Sequence, residues 1–378
     1  MKKAVSIFLA VVMAVITLPY ALAEESEKSD NLGVSAEAYV LYCADNGQII
    51  ASKNENKKMK PASTTKIMTS LIVLEEAASS DRVITFTKDM VAEGSSMYLG
   101  IGEKVHLSDL AVGMMMSSGN DAANAAALSI SDSFEDFSKR MNERAEQIGM
   151  KNTHFVTPSG LDDDNHYSTA FDMALLMSYA LENEDFANLT SKKSAKVDFA
   201  EPDKHITYSN HNRLLSLYEY CTGGKTGYTQ AAGRCLVTSA KKDGLTFVCV
   251  TMNDRNDWKD HTALYNYGYE RYCRVDCSDS DFAADVPCVG GQEDNVSVIA
   301  EKDASIVLPV ESKSELERKV YIDSFFYAPV KKGQNVGRID YIVDTKVVSS
   351  VNITAVDTVE AKKNNNIFNK IKELFSNG

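Results

Sequence analysis

Apolar positions along the chain change their spacing several times, and each change marks a predicted element. Residues 1–23, MKKAVSIFLAVVMAVITLPYALA, place Lys2 and Lys3 before a largely apolar stretch from Ala4 to Leu18. Pro19 and the small-x-small triplet Ala21-Leu22-Ala23 follow, so the segment reads as a cleavable export signal rather than a membrane span. Residues 24–34 are polar and acidic and are expected to form a flexible lead-in. "AEAYVLYCADNGQIIASKN" then alternates apolar and polar residues around Asp45-Asn46-Gly47, which predicts a β-hairpin. From Ser63 to Ala78, Ile67, Met68, Leu71, Ile72 and Leu74 recur at helical spacing, predicting a buried helix. A second helix is expected over Asp109–Met116, ended by "SSGN", and an alanine-rich third begins at Asp121. From about residue 205 the texture turns to strands, and residues 234–252 predict a hairpin with Asp243-Gly244 at its turn.

Beyond residue 275 the pattern changes again. Short alternating runs such as "VSVIAE", "SIVLPV" and "RKVYIDSFFYAPV" are separated by turn residues, the signature of a small all-β sandwich. It holds no histidine and no cluster of catalytic side chains, so it reads as a spacer. In the last stretch, 364–378, Ile367, Phe368, Ile371, Leu374 and Phe375 fall on one helical face after a polar "KKNNN" lead. A short isolated helix needs something to cover that face, and the interface of a membrane is the expected cover, ahead of packing on its own protein. The expected division is therefore a signal at 1–23, a lead-in at 24–34 and a catalytic domain at 35–275. A β domain at 276–360 and an amphipathic tail at 361–378 complete it.

Composition narrows the function more than the fold. The net charge of −13 becomes about −15 once Lys2 and Lys3 are removed, which excludes nucleic acid as a partner. Seven cysteines are an odd number for an exported chain, so at least one is unpaired within it. Cys235 and Cys249 lie in strand-like runs as small core residues. Cys273, Cys277 and Cys288 lack the tight spacing of a zinc site, and no H-E-x-x-H occurs, so neither a metal nor any other cofactor is expected.

Three short stretches carry chemistry. Ser63 and Lys66 lie three apart at the start of an apolar helix, which stacks them on one side. A serine hydroxyl is a poor nucleophile without a base, and a lysine serves as one only if burial or a second cation favours its neutral form. A second Ser-x-x-Lys, Ser239 to Lys242, runs off a strand and lacks that context. "GGKTGYT" supplies the second cation in Lys225. Thr226 beside it can bind a carboxylate, and Gly227 lets a substrate backbone approach the strand. A phosphate loop is excluded because Glu219 stands where that pattern requires glycine. In "SSGND", Ser118 and Asn120 sit two apart on a bend, positioned to project into one cleft.

In chain order the set Ser63/Lys66, Ser118/Asn120 and Lys225/Thr226/Gly227 resembles the penicillin-recognising serine enzymes. Within them the chain resembles the D-alanyl-D-alanine carboxypeptidases. The likeness extends through "PASTTKIMT", "SSGNDAA", "TPSGLDDDNHYSTAFDMALL", "NHNRLL" and "GGKTGYTQAAGRCLV" over most of residues 35–275. The resemblance implies an α+β fold, an antiparallel sheet flanked by helices, with the β domain and tail behind it. It implies that Ser63 forms an acyl-enzyme with D-Ala-D-Ala stem peptides of peptidoglycan, and that β-lactams acylate the same residue. Lys66 would act as base, Ser118 would relay a proton to the leaving group, and Asn120 would bind substrate backbone. Lys225 would keep the site positive, Thr226 would hold the terminal carboxylate, and the N–H groups of Ser63 and Tyr228 would form the oxyanion hole. Some relatives carry histidine at the Tyr228 position, so only a backbone role carries over there. An arginine of the carboxylate pocket has no evident match; His211, Arg213, Arg234 and Arg255 are the candidates. A serine β-lactamase is the first rival, but the common class needs Glu-x-x-Leu-Asn, absent between Asn120 and Lys225. A membrane-spanning penicillin sensor is the second, and no later apolar run is long enough to span.

Overall fold

The structure, a computed structural model, describes residues 32–362; the export signal and the amphipathic tail lie outside the described residues. The chain opens with the antiparallel hairpin β1 (Ala38–Cys43) and β2 (Ile49–Lys53). A single 3-10 turn over Ala62–Thr65 leads into helix α1 (Lys66–Ser79). Two short paired strands, β3 (Val83–Thr85) and β4 (Lys104–His106), precede α2 (Leu107–Met116), α3 (Asn120–Ile130) and α4 (Phe134–Ile148). After a long loop come α5 (Ala170–Ala180), α6 (Glu184–Thr190) and the ladder of β5 (Ser194–Asp198) with β6 (His205–Ser209). A one-turn helix, α7 (Leu214–Leu217), introduces β7 (Cys221–Thr229), β8 (Gly233–Lys242) and β9 (Leu245–Met252). Helix α8 (Asp257–Arg271) closes the domain.

The central sheet runs β2-β1-β9-β8-β7 and is antiparallel throughout, so strands from both ends of the domain meet at β1 and β9. Alternation along these strands feeds two cores. Val40, Val248 and Val250 face a core shared with α1 to α5, while Leu41, Phe247 and Cys249 face one shared with α8. Helix α1 is buried from Lys66 to Leu74 and runs through the first core, as expected of a helix apolar on nearly every side.

Behind the sheet, His261 of α8 is wholly buried between two strands, its ring nitrogens 2.7 Å from Thr238 Oγ1 and 3.1 Å from Thr251 Oγ1. Thr238 Oγ1 also meets the Tyr265 hydroxyl at 2.8 Å. Burial pushes the His261 pKa down to about 3, so the ring stays neutral and pins the helix to the sheet by hydrogen bonds alone.

The second domain contains β10 (Tyr272–Cys277), β11 (Ala283–Val289), β12 (Asn295–Ala300), β13 (Ala304–Pro309) and β14 (Glu317–Ile322). β15 (Phe326–Tyr327), β16 (Asn335–Val343) and β17 (Lys346–Ala355) complete it. A six-stranded sheet, β14-β16-β17-β12-β11-β15, and the β10-β13 ladder enclose one apolar core.

Several boundaries depart from expectation. Leu32 and Val34 pack on the α8-side core, and Ser35 donates from its amide to Asp260 and from its hydroxyl to Asp254, so the lead-in is anchored at its end. Helix α2 starts at Leu107, two residues early, because Asp109 serves as an N3 acceptor for the His106 amide rather than as the cap. Strand texture begins at β5, before residue 205, and β10 starts at Tyr272, ahead of residue 275. The described cysteines form no disulfide; Cys235 and Cys249 are buried in β8 and β9, and burial pushes the Cys235 thiol up to about 12. Thr238→Val keeps the shape but leaves His261 and Tyr265 short of a partner. It is expected to lower unfolding free energy by about 1–3 kcal/mol in chemical denaturation.

Candidate active site

Ser63 sits in the 3-10 turn rather than inside an α-helix, and that turn is strained. Ala62 before it has φ +49°, a left-handed conformation that a residue with a Cβ adopts only when its surroundings enforce it. The Thr64 hydroxyl donates to the Pro61 carbonyl at 2.6 Å and closes the turn. Gly160 packs beneath it at φ +81°, so closely that a Cβ there would lie 1.9 Å from the Ala62 carbonyl oxygen. The result presents the Ser63 hydroxyl, partly exposed, at the mouth of a cleft whose floor is the head of α1.

Lys66, the first residue of α1, is fully buried. Its Nζ lies 2.7 Å from Asn120 Oδ1, 2.7 Å from the Ser159 carbonyl oxygen and 3.1 Å from Ser63 Oγ. Burial, then the nearby Lys225 cation, drives its pKa well below the ordinary lysine value, against a smaller opposing pull from Asp121. A neutral amine has two N–H donors and one lone pair. The two carbonyl-type oxygens take the donors, which leaves the lone pair facing the Ser63 hydroxyl. That is the geometry of a base aimed at its nucleophile.

Ser118 and Lys225 form the other half. Ser118 also holds a left-handed φ of +60°, which turns it into the cleft where Lys225 Nζ donates to its hydroxyl at 3.0 Å. Lys225 is buried and its pKa falls to about 7, so it stands at the edge of losing its charge. It also donates to the Thr226 carbonyl at 2.8 Å. Asn120 opens α3 and donates from Nδ2 to the Glu93 carbonyl at 2.7 Å, so its amide orients Lys66 and retains one N–H.

β7 is the edge strand of the sheet and lies against the Ser63 turn. A Cβ at Gly227 would come within 3.1 Å of both the Ser63 and Thr64 nitrogens, which accounts for glycine there. Thr226 is partly exposed beside it, whereas the Tyr228 side chain is 65% exposed and leaves only its backbone next to the turn. Thus Ser63, Lys66, Ser118, Asn120, Lys225 and Gly227 converge. Of the candidates for the carboxylate pocket, His211 is coupled to Lys225, its pKa held down by lost solvation and by that cation. Arg234 instead makes a bidentate pair with Asp257, and Arg213 and Arg255 make no ion pair among the described residues.

Four further residues support the site. Ser159 offers Lys66 its carbonyl while its hydroxyl accepts from the Leu161 amide at 3.4 Å, and Gly160 contributes through its lack of a side chain. His166 Nδ1 accepts from the Val156 and Thr157 amides, so its proton is on Nε2 and is donated to Thr65 Oγ1 at 2.9 Å. Burial pushes its pKa down to about 4, and the neutral ring ties the 156–166 loop to the turn. Asp121 accepts from the amides of Met97 and Leu99 and from the Ser96 hydroxyl, fixing that segment beside Asn120. In sequence, "TPSGL" and the buried acid after Asn120 were visible as residues, but nothing in their spacing signals these roles.

A strained serine turn, a buried lysine base and a lysine-bearing edge strand define a serine acyl-transfer enzyme of the penicillin-binding kind. Family models agree: one described as D-alanyl-D-alanine carboxypeptidase matches residues 24–256, and one described as Penicillin-binding protein 5, C-terminal domain, matches 278–361. The chain belongs to the D-alanyl-D-alanine carboxypeptidase family. It is 30% identical over 373 residues to D-alanyl-D-alanine carboxypeptidase DacF of Bacillus subtilis, covering 95% of each chain. It is 31% identical to D-alanyl-D-alanine carboxypeptidase DacC of Escherichia coli, over 86% of this chain and 85% of that one. The solved penicillin binding protein 5 of Haemophilus influenzae superposes with a TM-score of 0.72 at 29% identity, over 86% of this chain and 98% of that one.

Gly160→Ala tests the support beneath the nucleophile. The added methyl meets the Ala62 carbonyl and needs an unfavourable backbone conformation, so about 2–3 kcal/mol of stability should be lost. Acylation by a fluorescent penicillin should slow by more than the fraction unfolded explains; an unchanged rate would mean that the turn does not rest on Gly160.

Proposed function

We propose that the cleft removes the terminal D-alanine from peptidoglycan stem pentapeptides through an acyl-enzyme on Ser63. As a member of its family the protein is a serine-type D-Ala-D-Ala carboxypeptidase acting on peptidoglycan. The observation that carries the residue-level reading is the buried Lys66 Nζ 3.1 Å from Ser63 Oγ. Lys66 accepts the Ser63 proton as Oγ attacks the carbonyl carbon between the two D-alanines. The oxyanion settles against the N–H groups of Ser63 and Tyr228, at the start of a helical turn and on an edge strand. Ser118 relays that proton from Lys66 to the leaving amine, so that D-alanine departs and Lys66 is neutral again. Water then cleaves the ester with Lys66 again as base.

Substrate binding follows from the same edges. Lys225 and Thr226 hold the terminal carboxylate, with His211 the nearest further candidate. Gly227 admits the peptide backbone, and the remaining N–H of Asn120 pairs with it. β-Lactams present a carboxylate and a strained carbonyl to the same groups and acylate Ser63. The 157–166 loop offers Lys66 a carbonyl oxygen rather than a carboxylate that would position a deacylating water, which supports a carboxypeptidase over a β-lactamase. Export by residues 1–23 and tethering by the 364–378 tail would place the enzyme at the outer face of the cytoplasmic membrane, where its substrate is.

The test is D-alanine release from a pentapeptide ending in D-Ala-D-Ala. Ser63→Ala should lower turnover at least about a thousandfold and abolish covalent penicillin labelling. Turnover retained in that variant would remove Ser63 from the chemistry.

A further inference from the structure

The second domain carries an apolar edge that no part of the catalytic reading uses. Val289, Phe325 and Tyr327 are 50%, 46% and 71% exposed. They form one patch: Val289 at the end of β11 pairs with Tyr327 of β15, and the Phe325 and Tyr327 rings meet edge to face at 5.3 Å. Phe326 between them packs against the domain core, which anchors Tyr327 in β15 and Phe325 just before it. Two large aromatic side chains left in water on a folded domain mark an interaction surface.

The described chain leaves the domain at this edge. The Lys362 amide donates to the Gly290 carbonyl at 2.8 Å, next to Val289, and Ala361 bridges to Gly291. The described chain therefore ends beside the patch, two residues in sequence before the segment 364–378. Of the charges close to it in sequence, Lys331, Lys332 and Lys362 are outnumbered by Glu293, Asp294, Asp323 and Glu360, so the contact the patch offers is apolar rather than cationic. Three side chains are too small a surface for a stable second copy, which needs roughly 1,200 Å². They also cannot cover the five apolar positions expected on the tail. Tyrosine and phenylalanine at one level suit the boundary between lipid headgroups and acyl chains.

We propose that the Val289/Phe325/Tyr327 edge is a second membrane contact, inserted in the bilayer interface beside the tail. This rests on the reading of the tail as a membrane tether. It fixes the orientation of the β domain on the membrane instead of leaving it to swing on a polar linker.

The experiment measures partition of the mature chain onto mixed phosphatidylcholine–phosphatidylglycerol vesicles by co-sedimentation. The comparison is with the Phe325→Ser/Tyr327→Ser double variant and with a chain ending at Lys362. The double variant should partition at least about tenfold more weakly, in low and high salt alike, because the lost contribution is apolar. Its thermal midpoint and its D-alanine release from soluble pentapeptide should match the parent. Unchanged partition of the double variant overturns the proposal, and stronger partition does too, since the patch would then be covering the tail in solution. The chain ending at Lys362 judges the other reading separately: if it binds as tightly as the full chain, the tail is not the tether.

Discussion

Burial of one amine at the head of a core helix is the constraint on which the rest of this enzyme depends. Lys66 lies where an ammonium is doubly disfavoured, desolvated by the α1 core and facing the positive end of that helix's dipole. Lys225 adds a second positive centre across the cleft. Three oxygens compensate the desolvation of Nζ, and one of them is the proposed nucleophile. Among the described residues Lys66 Nζ is the amine that meets the Ser63 hydroxyl, and its other two contacts are carbonyl-type oxygens. Structural and catalytic requirements therefore coincide in a single set of hydrogen bonds.

The surroundings serve to hold that arrangement. Ala62 and Ser118, both left-handed, aim the two serines into the cleft at a backbone cost that packing must offset. Gly160 permits the contact beneath the Ser63 turn, where a methyl group would collide, and Gly227 the one beside it, where a methyl group would be tight. Neutral His166 locks the loop that supplies the Ser159 carbonyl, and Asp121 locks the segment that receives the Asn120 amide. Ala62, Gly160, His166 and Asp121 need not touch substrate. Each fixes the position of one that would.

Much of this was legible in the sequence wherever side chains carry the signal. The all-round apolar pattern after Ser63 marks α1, the two Asx-Gly turns mark their hairpins, and the lysines, serines and asparagine of the site stand at motif spacing. What acts through backbone was not legible. Ser159 contributes a carbonyl, and the stretch around it reads only as a polar loop. The 3-10 turn is indistinguishable from the first turn of α1, since both place Ser63 and Lys66 on one side. Leu32 and Val34 look like the end of an acidic lead-in, because the core they pack on and the Asp254 and Asp260 carboxylates that hold Ser35 come from far along the chain. The start of β10 at Tyr272 was hidden because α8 runs into it without a turn residue.

The most direct test of the central claim is to follow the lysine side chains themselves. NMR titration of protein labelled at the lysine carbon next to nitrogen should reveal one resonance, absent in Lys66→Met, that titrates far below the ordinary lysine pKa. In Lys225→Met that midpoint should move upward, because a neighbouring cation has been removed. A Lys66 resonance titrating with the surface lysines, or indifferent to the loss of Lys225, would contradict the account and leave Ser63 without its base.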